Sequence, residues 1–168
     1  MKHATQRSAG TLLAQGGMVA ALYVALTLVS SAMGLASGQI QLRLSEALTV
    51  LPCFFPAAVP GLFVGCLLAN LLTGCVLWDV AVGSLATLLG ALGTRLLRKS
   101  RWLAVLPPIV SNILLVPPVL VWAYGVEESL PFLMLTVGLG EVLSCGVLGE
   151  LMYSALDKHR ELWDRKDR

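Results

Sequence analysis

From Ala47 to Trp78 the chain runs thirty-two residues without a charged side chain, and Pro52, Pro56 and Pro60 interrupt that run. Two full crossings of a bilayer, at about 20 residues each, do not fit into it. Each proline also removes a backbone donor and disturbs helix geometry. Hydropathy alone therefore leaves five or six helices. The composition agrees with this membrane reading: the 168 residues are 57% hydrophobic and 13% charged, with a mean hydropathy of +0.80, far from a soluble domain. No Walker-type glycine loop occurs, so no nucleotide site is expected in this chain. The net charge of +2 says little about partners, because in a membrane protein the position of the charges carries the information.

Apolar segments lie at about 11–36, 42–55, 56–76, 79–97, 102–124 and 130–156, followed by a tail at 157–168. The first, preceded by Lys2, His3 and Arg7, is too long for a secretory signal and is followed by further apolar segments, so it reads as a membrane helix. Cytoplasmic flanks of membrane spans collect Lys and Arg. Here Lys2 and Arg7 precede the first segment, Arg95, Arg98, Lys99 and Arg101 separate the fourth from the fifth, and Lys158, Arg160, Arg165, Lys166 and Arg168 lie in the tail. An even number of crossings must separate the amino terminus from the 95–101 loop if both are cytoplasmic. The short segment 42–55 then counts as a crossing, and the expectation is one all-α membrane domain over 1–168, a six-helix bundle with both termini cytoplasmic. The connections at 37–43, 74–79 and 124–129 fall on the outer side. Segment 42–55 is too short for a regular spanning helix, which predicts a tilted or broken element lining a cavity.

A charged group inside the bilayer is costly, so each one present is a functional candidate. Glu141 lies about 16 Å of helical rise from the outer end of the last segment, Asn112 lies at a comparable depth in the fifth, and Glu46 lies just inside the second. Asn70 sits near the outer end of the third, and Gln39, Gln41, Arg43, Trp78, Asp79 and Tyr124 lie at the outer rim. Together they predict an outward-facing cavity in which carboxylates and amides bind a polar, planar ligand flanked by aromatic rings. Other roles stand beside this one. Arg43 and Glu46, three apart, can pair along one helical face, and Asn112 can serve as an interhelical hydrogen-bond residue. Glu127 and Glu128 read as solvated loop charges, and Glu150 as a partner of the basic tail. Cys53, Cys66, Cys75 and Cys145 form no CxxC pair and read as small core residues, and no metal site is expected. Gly17, Ala21 and Ala25 recur every fourth residue and offer a flat stripe for close helix approach, either inside the bundle or toward a partner; Gly83, Thr87, Gly90, Ala91 and Thr94 make a similar pattern.

The run Ile40 to Pro52 (IQLRLSEALTVLP), the run Pro56 to Leu72, the stretch Asp79 to Arg95 (DVAVGSLATLLGALGTR), Pro107-Pro108 to Asn112 and Val137 to Glu141 (VGLGE) together resemble the QueT family of membrane proteins. The resemblance implies an S-component of an energy-coupling factor (ECF) transporter: a six-helix protein of the cell membrane that captures a vitamin-like molecule from outside. It implies docking on a membrane coupling protein and two ABC-type ATPases, which use ATP, with no cofactor in this chain, and toppling to carry the site inward. It implies a docking role for Gly17, Ala21 and Ala25. The implied substrates are queuosine precursors, which are deazaguanine bases. One carboxylate, Glu141 first and Glu46 second, can accept the paired N–H groups of a guanine-like edge. Glu46 can otherwise hold Arg43 in place. Asn70, Asn112 and Gln41 can read the remaining polar atoms, Trp78 or Tyr124 can stack on the ring, and Asp79 suits an aminomethyl cation. The alternatives are an S-component for another vitamin, a stand-alone carrier, and a small intramembrane enzyme. The enzyme reading is weak: His3 and His159 lie outside the apolar segments, and no HExxH or GxSxG motif occurs.

Overall fold

The computed structural model describes residues 9–35 and 40–159. Lys2, Arg7, Gln39 and the basic tail from Arg160 onward lie outside the described residues. The fold is all-helical: α1 (Ala9–Ala32), a 3-10 helix (Leu44–Cys53), α2 (Ala58–Leu72), α3 (Leu77–Leu96), a short α4 (Arg101–Ala104), α5 (Leu106–Tyr124), α6 (Leu130–Glu141), a π segment (Val142–Leu148) and α7 (Gly149–Asp157). Among the described residues, four stretches are long and apolar enough to cross a membrane: Ala9–Ala32, Leu77–Leu96, Arg101–Tyr124 and Leu130–Asp157. The 3-10 helix and α2 are the shorter apolar elements.

Successive segments alternate in direction between two ends, one carrying Asp79, Glu127 and Glu128, the other Arg95, Arg98, Lys99 and Arg101. Cross-contacts fix the alternation. At the acidic end the Val76 N–H donates to the Tyr124 hydroxyl; at the basic end Arg95 Nη1 donates to the Pro52 carbonyl at 2.9 Å.

Small residues set the helix spacing. A Cβ on Gly61 would stand 2.6 Å from the Gly16 carbonyl oxygen, and one on Gly65 would stand 2.7 Å from Tyr23 Cβ, so α2 lies directly on α1. Gly90 and Gly93 play the same part between α3 and α5, against Pro108 and Pro107. Those two prolines occupy the first turn of α5, where no intrahelical N–H is required. Pro117 and Pro118, deeper in α5, withdraw the donors that the Ile113 and Leu114 carbonyls would otherwise receive.

The 3-10 helix lies at the centre of the bundle, with Ser45 through Pro52 all buried. Its rise of about 2.0 Å per residue stretches ten residues to roughly 20 Å, where an α-helix would reach roughly 15 Å. Burying it on all sides requires polar neighbours, and three elements supply them. From α1, Ser30 Oγ accepts the Leu44 N–H at 2.9 Å, and Thr27 Oγ1 lies 2.8 Å from Ser45 Oγ. From the π segment, Ser144 Oγ accepts the Arg43 N–H at 3.2 Å, and the Cys145 thiol lies 3.6 Å from the Glu46 carbonyl. From α3, Arg95 meets the Pro52 carbonyl. The expected broken element thus takes the form of a stretched helix whose hydrogen-bonding needs are met by side chains.

Candidate functional site

Near the acidic end a cavity of about 30 Å³ is lined by Gln41, Arg43, Glu46, Asp79, Gly83, Thr87, Asn112, Val116, Val137 and Glu141. Five elements contribute to it. Gln41 and Arg43 come from the extended stretch before the 3-10 helix, where alternate residues share a face. The backbone of this stretch runs so close to α6 that a Cβ on Gly140 would meet the Gln41 carbonyl oxygen. The next residue, Glu141, is thereby brought beneath Gln41 and Arg43.

Glu46 is 2% exposed and accepts a short hydrogen bond from the hydroxyl of Tyr23, itself 1% exposed. The Cys145 thiol donates to Glu141 Oε2 at 3.2 Å and lies 3.9 Å from Glu46 Oε2, so it stands between the two carboxylates. Asn112 on α5 faces Glu141. Asp79, in the first turn of α3, accepts a 2.9 Å hydrogen bond from the Tyr124 hydroxyl. Three carboxyl groups and one guanidinium therefore line one small cavity. The π segment that follows Glu141 widens the helix and turns Ser144 and Cys145 together toward the 3-10 helix. Glu46, Glu141 and Cys145 present ligand atoms within 4.8 Å of one another, a spacing that can hold a metal ion; here those atoms are engaged in hydrogen bonds with Tyr23 and with one another.

Six of the nine expected ligand-binding residues meet in this cavity: Gln41, Arg43, Glu46, Asp79, Asn112 and Glu141. Asn70 does not line it; it is buried behind Gly83, its amide nitrogen 3.1 Å from where a Gly83 Cβ would stand. Tyr124 bonds Asp79 from the rim rather than stacking over the cavity. Trp78 is 72% exposed and turned away, into an apolar groove that it shares with Trp122 and Pro118. Arg43 and Glu46 form no ion pair within 4.0 Å among the described residues, although both line the cavity; Glu46 Oε1 accepts from Tyr23. Glu150 pairs with Arg101, which also bonds Ser154; the basic tail expected to meet it lies, from Arg160 onward, outside the described residues. Gly17, Ala21 and Ala25 lie exposed on α1, and Gly17 borders an apolar groove that α1 shares with Pro60, Gly61 and Val64 of α2.

Tyr23, Thr87 and Cys145 belong to the site without having been singled out for it. Cys145 carried a signal: it stands four residues after Glu141, on the same helical face. Thr87 is four residues from Gly83 and eight from Asp79, again on one face of α3. Tyr23 carried none, because its partner is remote in sequence.

A family model described as QueT transporter matches residues 13–158. No curated protein and no solved structure matches the chain.

Proposed function

The chain belongs to the QueT transporter family, and on that premise we propose that it is the substrate-capture S-component of an ECF-type importer, binding a queuosine precursor in the cavity around Glu46 and Glu141. The observation that carries this reading is that cavity: two buried carboxylates from different helices, a guanidinium and an amide converge on one small space. Glu141 accepts the adjacent N–H and amino groups of the deazaguanine edge in a charge-assisted pair. Glu46 and Arg43 address its other polar atoms, and Asn112 and Gln41 complete the edge. With three carboxyl groups to one guanidinium, the site favours a precursor bearing a cationic aminomethyl arm, which Asp79 receives.

The membrane arrangement in this reading has six crossings with both termini in the cytoplasm, which the alternating direction of the six apolar segments and the basic residues gathered at one end support. The acidic end then faces outward and the cavity opens there. Ligand sites usually enclose about 300 Å³ or more, so a cavity of about 30 Å³ admits a two-ring base only when its lining segments separate. The exposed stripe of Gly17, Ala21 and Ala25 serves as the docking face for the coupling protein, whose two ATPases drive the toppling that delivers the ligand inward.

Uptake of a radiolabelled deazaguanine by cells unable to make it tests the proposal. Uptake requires this chain together with an ECF module, stops when the ATPases are inactivated, and stops with Ala21→Trp. Uptake that persists without functional ATPases makes the protein a stand-alone carrier instead.

A further inference from the structure

α1 presents two different faces. Tyr23, Thr27 and Ser30 follow one another at intervals of four and three residues, all are buried, and each meets one residue of the turn at 44–46. At about 100° per residue, Gly17, Ala21 and Ala25 fall on the opposite side of the same helix. Of the three inward contacts, only that of Tyr23 reaches a side chain lining the cavity.

That contact is well placed to orient a ligand-binding group. A glutamate has several rotatable bonds, and among the described residues the Glu46 carboxylate has one close donor, the Tyr23 hydroxyl; the Cys145 thiol lies at 3.9 Å. The phenol is itself fixed, since Tyr23 is fully enclosed and its Cβ is pressed against the backbone of α2 at Gly65. A donor that cannot move, bonded to a carboxylate that otherwise could, preorganises the carboxylate.

We propose that Tyr23 is the positioning residue of the cavity: its hydroxyl fixes the direction of the Glu46 carboxylate toward the ligand, so that ligand affinity depends on where α1 stands. This rests on the cavity being the deazaguanine site proposed above. Tyr23→Phe keeps the ring and its packing and removes only the donor. Detergent-purified wild type, Tyr23→Phe, Glu46→Ala and the double variant are titrated with an aminomethyl deazaguanine; alanine is used because a glutamine would still accept from the Tyr23 hydroxyl. The expected loss for Tyr23→Phe is about tenfold or more, and the double variant is no weaker than Glu46→Ala alone. An equal loss in both backgrounds means that Tyr23 merely supports the fold, and overturns the proposal. A second readout needs no ligand. Cys145 lies beside Glu46, so in a background with Cys53, Cys66 and Cys75 replaced by alanine, its rate of reaction with methyl methanethiosulfonate reports how firmly that carboxylate is held. Tyr23→Phe raises the rate severalfold, and does so only while Glu46 is present. Equal rates in wild type and Tyr23→Phe overturn the proposal even if no deazaguanine binds, whereas failure of the wild type to bind removes the substrate assignment alone.

Discussion

Two groups of charge stand at opposite ends of this bundle, one half-buried and one buried, and they are assembled on different terms. At the basic end, Arg101 pairs with Glu150 and bonds Ser154, its guanidinium lying 5.6 Å from the Trp102 ring centre and 5.1 Å from that of Tyr153. One positive charge meets one negative charge, and aromatic faces cover the remainder. At the acidic end, Glu46, Glu141 and Asp79 share one cavity with a single cation among the described residues, Arg43. A balanced group fastens helices to one another. A group with a surplus of one sign leaves interactions for a ligand to complete, and it costs stability in the meantime. The contrast separates a structural charge cluster from a binding site.

Substitutions at the two ends should diverge accordingly. Arg101→Ala removes the partner of Glu150 and should lower unfolding free energy by about 2 kcal/mol, below the range for a fully buried pair because Arg101 is partly exposed; protein that stays folded should bind ligand as wild type does. Thermal unfolding in detergent, with titration of the surviving fraction, measures both. Glu46→Gln should do the reverse, weakening deazaguanine binding by about 10- to 100-fold while leaving the melting temperature unchanged or raised, since it removes one surplus charge. If Glu46→Gln unfolds the protein and Arg101→Ala abolishes binding, the two roles are exchanged. A smaller effect tests the polar support of the 3-10 helix: Ser30→Ala leaves the Leu44 N–H without its acceptor and should cost about 1–2 kcal/mol by the same unfolding assay. The smallest concerns the rim. Trp78→Ala should change affinity less than about twofold, the range of a surface substitution away from the site; a tenfold loss would place the indole over the ligand.

An all-helical membrane fold was legible from the uncharged segments, and the irregular segment could be located because three prolines and its length rule out a regular span. Its form was not legible. Whether such a segment becomes a stretched 3-10 helix depends on the hydroxyls of Tyr23, Thr27 and Ser30 and on Ser144, and each of these meets it only through tertiary packing. The π segment likewise has no marker in Val142–Leu148. Within the site, buried carboxylates announced themselves because charge in hydrocarbon is expensive. Aromatic residues did not, since Trp and Tyr are at home at either interface of a membrane as well as in a pocket. Trp78 and Asp79 are adjacent on one helix and therefore point about 100° apart; with Asp79 turned inward, Trp78 faces out. The Arg101 partner of Glu150 carried no signal, since it reaches across the bundle from a position 49 residues away.

The most direct test of the account is calorimetric titration of the purified protein with aminomethyl and nitrile deazaguanines, guanine and common vitamins, run in parallel on Glu141→Gln. The account predicts tight binding of one deazaguanine, weakened about 100-fold or more in the variant while its melting profile is retained. Binding of a different vitamin, or a deazaguanine affinity indifferent to Glu141, would contradict it.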